Sequence, residues 1–248
     1  MKAIAVIPAR YASKRLPGKM LLAETGKPLI QHVVESIRPA ARLERILVAT
    51  DDERIAAAVG RFGGDAMLTS DTCRSGTDRV AEAARGLELP DDAMVVNVQG
   101  DEPEMPAACV DRLVELLEST DAPIATLAAP MSAEEAAIPG MTKVVVDRRG
   151  KAMYFSRATI PHDRDGDAPP EYLLHHGIYA YRAGFLRTYA KLETTPAERA
   201  EKLEQLRALE HGYDIAVAVV DYRGARIDSR EEYEAFVARV AGGTRSTS

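Results

Sequence analysis

Residues 3–9, AIAVIPA, form an unbroken apolar run that stops at a basic loop, Arg10-Tyr11-Ala12-Ser13-Lys14-Arg15-Leu16-Pro17-Gly18-Lys19. An apolar run without polar alternation reads as a strand buried on both faces, as in a parallel sheet. The pattern outward from it supports that reading. Residues 27–38 suit a helix with Ile30, Val33, Val34 and Ile37 on one face. Residues 45–50 (RILVAT) read as a second strand, with Asp51-Asp52 placed to cap the helix that follows. Asp65 to Leu68 reads as a third strand, and Ser75 or Thr77 starts a helix that turns Val80, Ala83 and Ala84 inward. Residues 93–98 (AMVVNV), a helix from Pro106 to Glu118, and residues 124–129 (IATLAA) continue the alternation. Strands alternating with helices predict an α/β fold with a mostly parallel sheet covered on both faces.

The pattern changes after Pro139. Residues 143–147 and 151–156 flank Arg148-Arg149-Gly150 and read as a β-hairpin. Residues 157–172 read as a polar, Pro-rich arm, and 177–182 (GIYAYR) as a strand. A helix from Pro196 to Glu210, a strand at 215–220 and a helix at 229–240 complete the chain. The expectation is one domain over residues 1–241, with the hairpin and arm inserted at about 140–182 and a disordered tail at 242–248.

Composition narrows the function. The chain has 248 residues, 46% hydrophobic and 28% charged, the balance of a globular protein. The net charge of −6, the absence of Trp and an aromatic content of 5% argue against a nucleic-acid surface. No run of apolar residues is long enough for a membrane span, and the N-terminal one is too short for a signal peptide. Cys73 and Cys109 make no disulfide framework or zinc spacing, so a reducing cytoplasm is expected.

Against that acidic background, Arg10, Lys14, Arg15 and Lys19 fall within ten residues that contain no acid. The loop leaves the carboxyl end of a strand, where α/β sheets bind ligands, and its cations suit phosphate oxygens. It matches neither the P-loop nor the dinucleotide glycine pattern. Asn97-Val98-Gln99-Gly100-Asp101-Glu102-Pro103 ends the fourth strand and presents Asp101 at the same edge, or else caps the next helix. Ser75-Gly76-Thr77-Asp78-Arg79 opens a helix, as a cap or as a nucleotide contact.

In chain order, IPARYASKRLPGK, SGTDR, VNVQGDEP, YFSRATIP, HHGIYAYR, LEQLR and Ile227-Asp228-Ser229 resemble the motifs of the 3-deoxy-manno-octulosonate cytidylyltransferase (CMP-Kdo synthetase) family, over about residues 3–240. The departures are His162 where an aromatic is usual, His176 where HLGIY has Leu, IDSREE for VDTPED, and Thr142 before Lys143. The resemblance implies a nucleotidyltransferase-like fold that joins CTP to the acid sugar Kdo and releases pyrophosphate, for lipopolysaccharide or a related envelope glycan. It implies a homodimer through residues 140–172. It assigns the triphosphate to Arg10, Ser13, Arg15 and Lys19, and the cytosine to Ser75, Arg79 and the backbone near Ala9. Gln99 lies between nucleotide and sugar. Arg157, His175, Tyr179, Glu204 and Gln205 would complete the sugar pocket, and Asp101 and Asp228 would hold Mg²⁺. Alternatives on the same fold are a cytidylyltransferase for a sialic acid-like sugar or an amino-Kdo, and a non-catalytic nucleotide-binding protein.

Overall fold

The computed structural model describes residues 2–243 except Lys14, Arg74 and 167–169. Those residues and 244–248, most of the expected tail, lie outside the description. A nine-stranded sheet runs through it. β1 (Ala3–Ala9) lies between β2 (Leu43–Thr50) and β4 (Met94–Asn97), and β3 (Asp65–Leu68) borders β2, all parallel. Helices α1 (Leu29–Ile37), α2 (Glu53–Arg61), α3 (Gly76–Gly86) and α4 (Ala107–Glu118) accompany these strands. Their apolar stripes bury Ile30, Val33, Val34 and Ile37, then Val80, Ala83 and Ala84, as their spacing predicts. Two apolar clusters pack on the sheet, one with α1 and α4, the other with α3.

The second half differs from a simple alternation. β5 (Ile124–Met131) does not border β4. β8 (Tyr172–Arg182) lies between them, antiparallel to both, and β9 (Ile215–Val219) pairs parallel with β5. β8 starts five residues before the expected strand, and only its first residue, Tyr172, comes out of the expected arm. Opposite Thr126 and Leu127, the ladder skips from Tyr179 to His176, leaving Gly177 and Ile178 in a bulge. Thr126 Oγ1 holds the bulge by donating toward the carbonyls of Ile178 (2.7 Å) and His176 (3.2 Å).

The expected hairpin is present as β6 (Lys143–Val146) and β7 (Ala152–Ser156). Short helices α5 (Ala133–Ala136) and α6 (Ala183–Tyr189) were not expected. The expected helix 196–210 is two helices. α7 (Pro196–Glu201) ends at Lys202, which takes the left-handed φ of 56°, and α8 (Gln205–Glu210) turns back. The turn brings Arg207 against Glu198 in a buried bidentate pair at 2.8 and 2.5 Å. α9 (Arg230–Ala241) closes the chain, capped by Ser229 and Glu232.

In the sheet order β3-β2-β1-β4 the chain runs away from β1 on one side and returns on the other. The crevice outside the carboxyl ends of β1 and β4 is therefore the switch point where such sheets bind ligands. Gly100 sets how closely the two loops approach there. A Cβ at Gly100 would sit 2.9 Å from the Pro8 carbonyl and 3.2 Å from Met20 Sδ. Gly100→Ala is expected to lower stability by about 1–3 kcal/mol, as overpacking does, measured as a Tm loss of several degrees. An unchanged Tm would show that the approach is slack.

Candidate functional site

At the switch point lies a cavity of about 410 Å³. From β1 and its loop come Pro8, Ala9, Arg10, Ser13, Arg15 and Lys19. From the loop after β4 come Gln99, Gly100 and Asp101; from the start of α3, Ser75 and Arg79; from the cap of α8, Glu204; and from the segment before α9, Arg226 and Asp228. A larger concavity of about 590 Å³ between α1 and α2 has mainly apolar walls, including Leu21, Ala57, Ala58 and Phe62, and holds none of the predicted residues.

Lys19 stands at the centre. It begins a short 3-10 turn whose preceding residue, Gly18, has φ 71°. That turn buries the lysine to 7% exposure. Its ammonium donates to Asp101 Oδ2 at 3.0 Å, to Asp228 Oδ1 at 2.9 Å and to the Ile227 carbonyl at 2.8 Å. Arg15 pairs with the other oxygen of Asp228 at 2.5 Å, and Arg226 lies 3.4 Å from Asp101 Oδ2. Burial works against charge on Asp228, but the hydrogen bond and charge of Lys19, then Arg226 and Arg15, hold its carboxyl below the usual range. Two carboxylates about 4 Å apart would repel by roughly 4 kcal/mol at an effective dielectric near 20, and the lysine between them offsets this.

Among the described residues, no three His, Cys, Asp or Glu side chains are grouped to hold a metal. Asp101 and Asp228 alone fit a hard cation that takes its remaining oxygens from substrate and water. The buried Asp101 Oδ1, which has no hydrogen-bond partner among the described residues, is an acceptor suited to that ion. Beside it, Glu102 is 3% exposed. Burial first, then the charges of Asp101 and Asp228, push its carboxyl up to about 7 against the pull of Arg226.

Ser75 both caps α3, accepting from the Asp78 amide at 3.1 Å, and lines the cavity. The two readings of that motif are compatible. Arg79 is fixed by Asp51 at 2.7 Å and Thr69 at 2.5 Å, so it meets a ligand as a pre-set fork. Gln99 donates to the Gly177 carbonyl in the β8 bulge at 3.0 Å. Burial raises the Glu204 carboxyl, opposed by hydrogen bonds from Thr77 and Ser75.

The remaining sugar-side candidates do not line this cavity. The Arg157 amide donates to Glu201 Oε2 at 3.0 Å, and its Nε donates to the Glu201 carbonyl at 2.9 Å, tying the arm to α7. His175 bonds Thr126 Oγ1 at 3.1 Å, with Phe155 and Tyr179 at ring distances of 4.9 and 5.4 Å. Burial, then the neighbouring charges, lowers its imidazole to about 3, so the ring is neutral. Tyr179 and Gln205 are buried. His162 is exposed. Cavity residues given no role in the sequence reading include Arg226, Met20 and Cys73. Arg226 had a signal, since it is a cation placed two residues before an acid of the site. Cys73 is held protonated: burial and Glu82 raise its thiol to about 11.

The chain matches a family model described as cytidylyltransferase over residues 4–215. It is 52% identical over 242 residues to a 3-deoxy-manno-octulosonate cytidylyltransferase of Syntrophobacter fumaroxidans, covering 96% of each chain. With the enzyme of the same name from Syntrophus aciditrophicus it shares 48% over 233 residues, covering 93% of this chain and 94% of the other. A solved CMP:2-keto-3-deoxy-manno-octonic acid synthetase complexed with CTP superposes with TM-score 0.92 at 43% identity, covering 98% of this chain and 100% of that one.

Removing the ammonium at the centre should leave both carboxylates uncompensated. Lys19→Met is expected to cost roughly 3–5 kcal/mol in denaturant unfolding. Asp228→Asn added to it should recover part of that loss. An unfolding midpoint equal to the wild type would show that the lysine bears no such charge burden.

Proposed function

Because the chain belongs to the 3-deoxy-manno-octulosonate cytidylyltransferase family, we propose that the cavity outside β1 and β4 joins CTP to Kdo, giving CMP-Kdo and pyrophosphate. The observation that carries this reading is the clamp of Lys19 between Asp101 and Asp228, beneath the exposed cations Arg10 and Arg15. Phosphoryl transfer asks for alignment and charge neutralisation rather than a covalent partner. Arg10, Ser13, Arg15 and Lys19 bind the triphosphate. Arg79, pre-set by Asp51, frames the cytosine with Ser75 and the Ala9 backbone. A fixed fork loses little side-chain freedom on binding.

Asp101 and Asp228 hold Mg²⁺. When bound, the ion supplies charge neutralisation at the phosphates and lowers the pKa of the attacking sugar hydroxyl. Gln99, held by the β8 bulge, and Glu204, at the start of α8, face the sugar. Arg157, His175, Tyr179 and Gln205 complete its pocket on the side of the arm, where the neutral His175 ring reads hydroxyls as an uncharged group. The support for these four is their match to the family motifs.

The chain forms a homodimer through the hairpin and arm, a reading supported by Met153, Tyr154 and Val219, large apolar side chains left exposed on β7 and β9. No described helix is long and apolar enough to cross a membrane. The free thiols of Cys73 and Cys109 suit a reducing cytoplasm. The product feeds lipopolysaccharide or a related envelope glycan.

Pyrophosphate release over a panel of nucleoside triphosphates and acid sugars tests the reaction. CTP with Kdo should give the highest kcat/KM, and a preference for another acid sugar would overturn the substrate. Asp101→Asn should lower kcat by at least about 10²-fold with the fold intact. Combined with Asp228→Asn it should be little worse than either alone, because the two act as a unit. Turnover within tenfold of the wild type would sink the metal role. On the sugar side, Arg157→Ala should raise KM for the acid sugar about one to two decades more than KM for CTP. Equal losses for both substrates, together with a lower Tm, would instead assign Arg157 to bracing Glu201.

A further inference from the structure

Arg226 and Asp228 reach the cavity on residues 220–229, a segment between β9 and α9 with no regular secondary structure. Within 221–229 only Tyr222 and Ile227 are buried, at 8% and 0% exposure. Ile227 is the near anchor. Its amide donates to the Asp101 carbonyl at 2.9 Å, and its carbonyl accepts from Lys19. Tyr222 is the far anchor. Its ring lies 5.5 Å from that of His176, tilted by 34°. The chain then folds over the phenol, since a Cβ at Gly224 would overlap the Tyr222 hydroxyl and ring. A side chain at that position would push the segment off its anchor.

The surroundings of this anchor are polar and closed. His176 Nε2, the Tyr222 hydroxyl and Glu102 Oε2 are buried with no hydrogen-bond partner among the described residues. His176 stands next to the β8 bulge, with its carbonyl held by Thr126. One packed unit therefore links the bulge that orients Gln99 to the segment that carries Asp228.

We propose that Tyr222, seated on His176, is a positioning residue that pins the segment 220–229 so that Arg226 and Asp228 meet Asp101 and Lys19. This gives a role to the histidine that departs from the HLGIY pattern. It rests on the reading of the cavity as the nucleotidyl-transfer site. With the far anchor gone, the segment would keep Ile227 as its one buried side chain beside the exposed contacts of Arg223 with Glu135 and the Pro130 carbonyl, and Asp228 would sample positions off Lys19. Misplacement by about 1 Å at a reacting centre is enough to cost on the order of 10²-fold in rate.

The test compares Tyr222→Leu, Tyr222→Phe and His176→Leu in the full chain, by amide hydrogen exchange and by steady-state kinetics with CTP and Kdo. Tyr222→Leu should speed exchange across 222–229 by about tenfold or more, with β2 unchanged, as expected of a local opening. Its kcat should fall about 10- to 100-fold, while KM for CTP changes less than about threefold. Tyr222→Phe, which keeps the ring, should restore both to within about twofold, and His176→Leu should fall between. If Tyr222→Leu does not fold, His176→Leu decides, with exchange about threefold faster expected in 222–229. Unchanged exchange there, or equal acceleration in β2, would overturn the proposal. A wild-type protein that releases no pyrophosphate from CTP and Kdo would overturn the catalytic reading, while exchange in 222–229 would still decide whether Tyr222 is the pin.

Discussion

Two carboxylates brought together at the carboxyl end of a sheet need a cation between them, and Lys19 is that cation in the protein. It donates to Asp101, Asp228 and the Ile227 carbonyl, so one side chain joins the loop after β1, the loop after β4 and the segment before α9. These pieces are far apart in sequence, and the lysine is nearly buried where they meet. Much of the nearby architecture serves that meeting. Gly18 sets the turn that starts at Lys19. Gly100 lets the β4 loop come within contact of Pro8. Ile227 ties the third piece to the second by a backbone hydrogen bond. In the cavity the cations and the carboxylates satisfy one another, Lys19 and Arg15 on Asp228 and Lys19 and Arg226 on Asp101.

The first four strands and their helices were legible because each is locally consistent. β1 is seven apolar residues, and the inward faces of α1 and α3 follow the 3.6-residue period. The position of β8 was not legible, because the period of a strand says which face is buried and not which strand it borders. Nor was the break between α7 and α8. Leu203, Leu206 and Leu209 keep a helical spacing from the break into α8, while the reversal at Lys202 is fixed by the pair of Glu198 with Arg207.

The basic-loop side of the cavity was more legible than the remaining candidates for the same reason. Arg10, Ser13, Arg15 and Lys19 fall in one short loop, and their charge stands out against an acidic chain. Glu204 reaches the cavity only through the α7–α8 reversal. Arg226 reaches it on an irregular segment whose only buried anchors in 221–229 are Tyr222 and Ile227. Arg157, His175, Tyr179 and Gln205 sit outside the cavity that the nucleotide-side residues line, against the hairpin, the bulge and α8. Their places are set by long-range partners, Glu201 for Arg157 and Thr126 for His175, which have no local period to read.

The proposed reaction requires Asp101 and Asp228 to act together on the triphosphate through a hard cation. Calorimetric binding of CTP with and without Mg²⁺ tests this most directly, in the wild-type protein and in Asp228→Asn. Mg²⁺ is expected to tighten CTP at least about tenfold in the wild type, about 1.4 kcal/mol, and Asp228→Asn to abolish that gain. Equal Mg²⁺ dependence in the two proteins would contradict it.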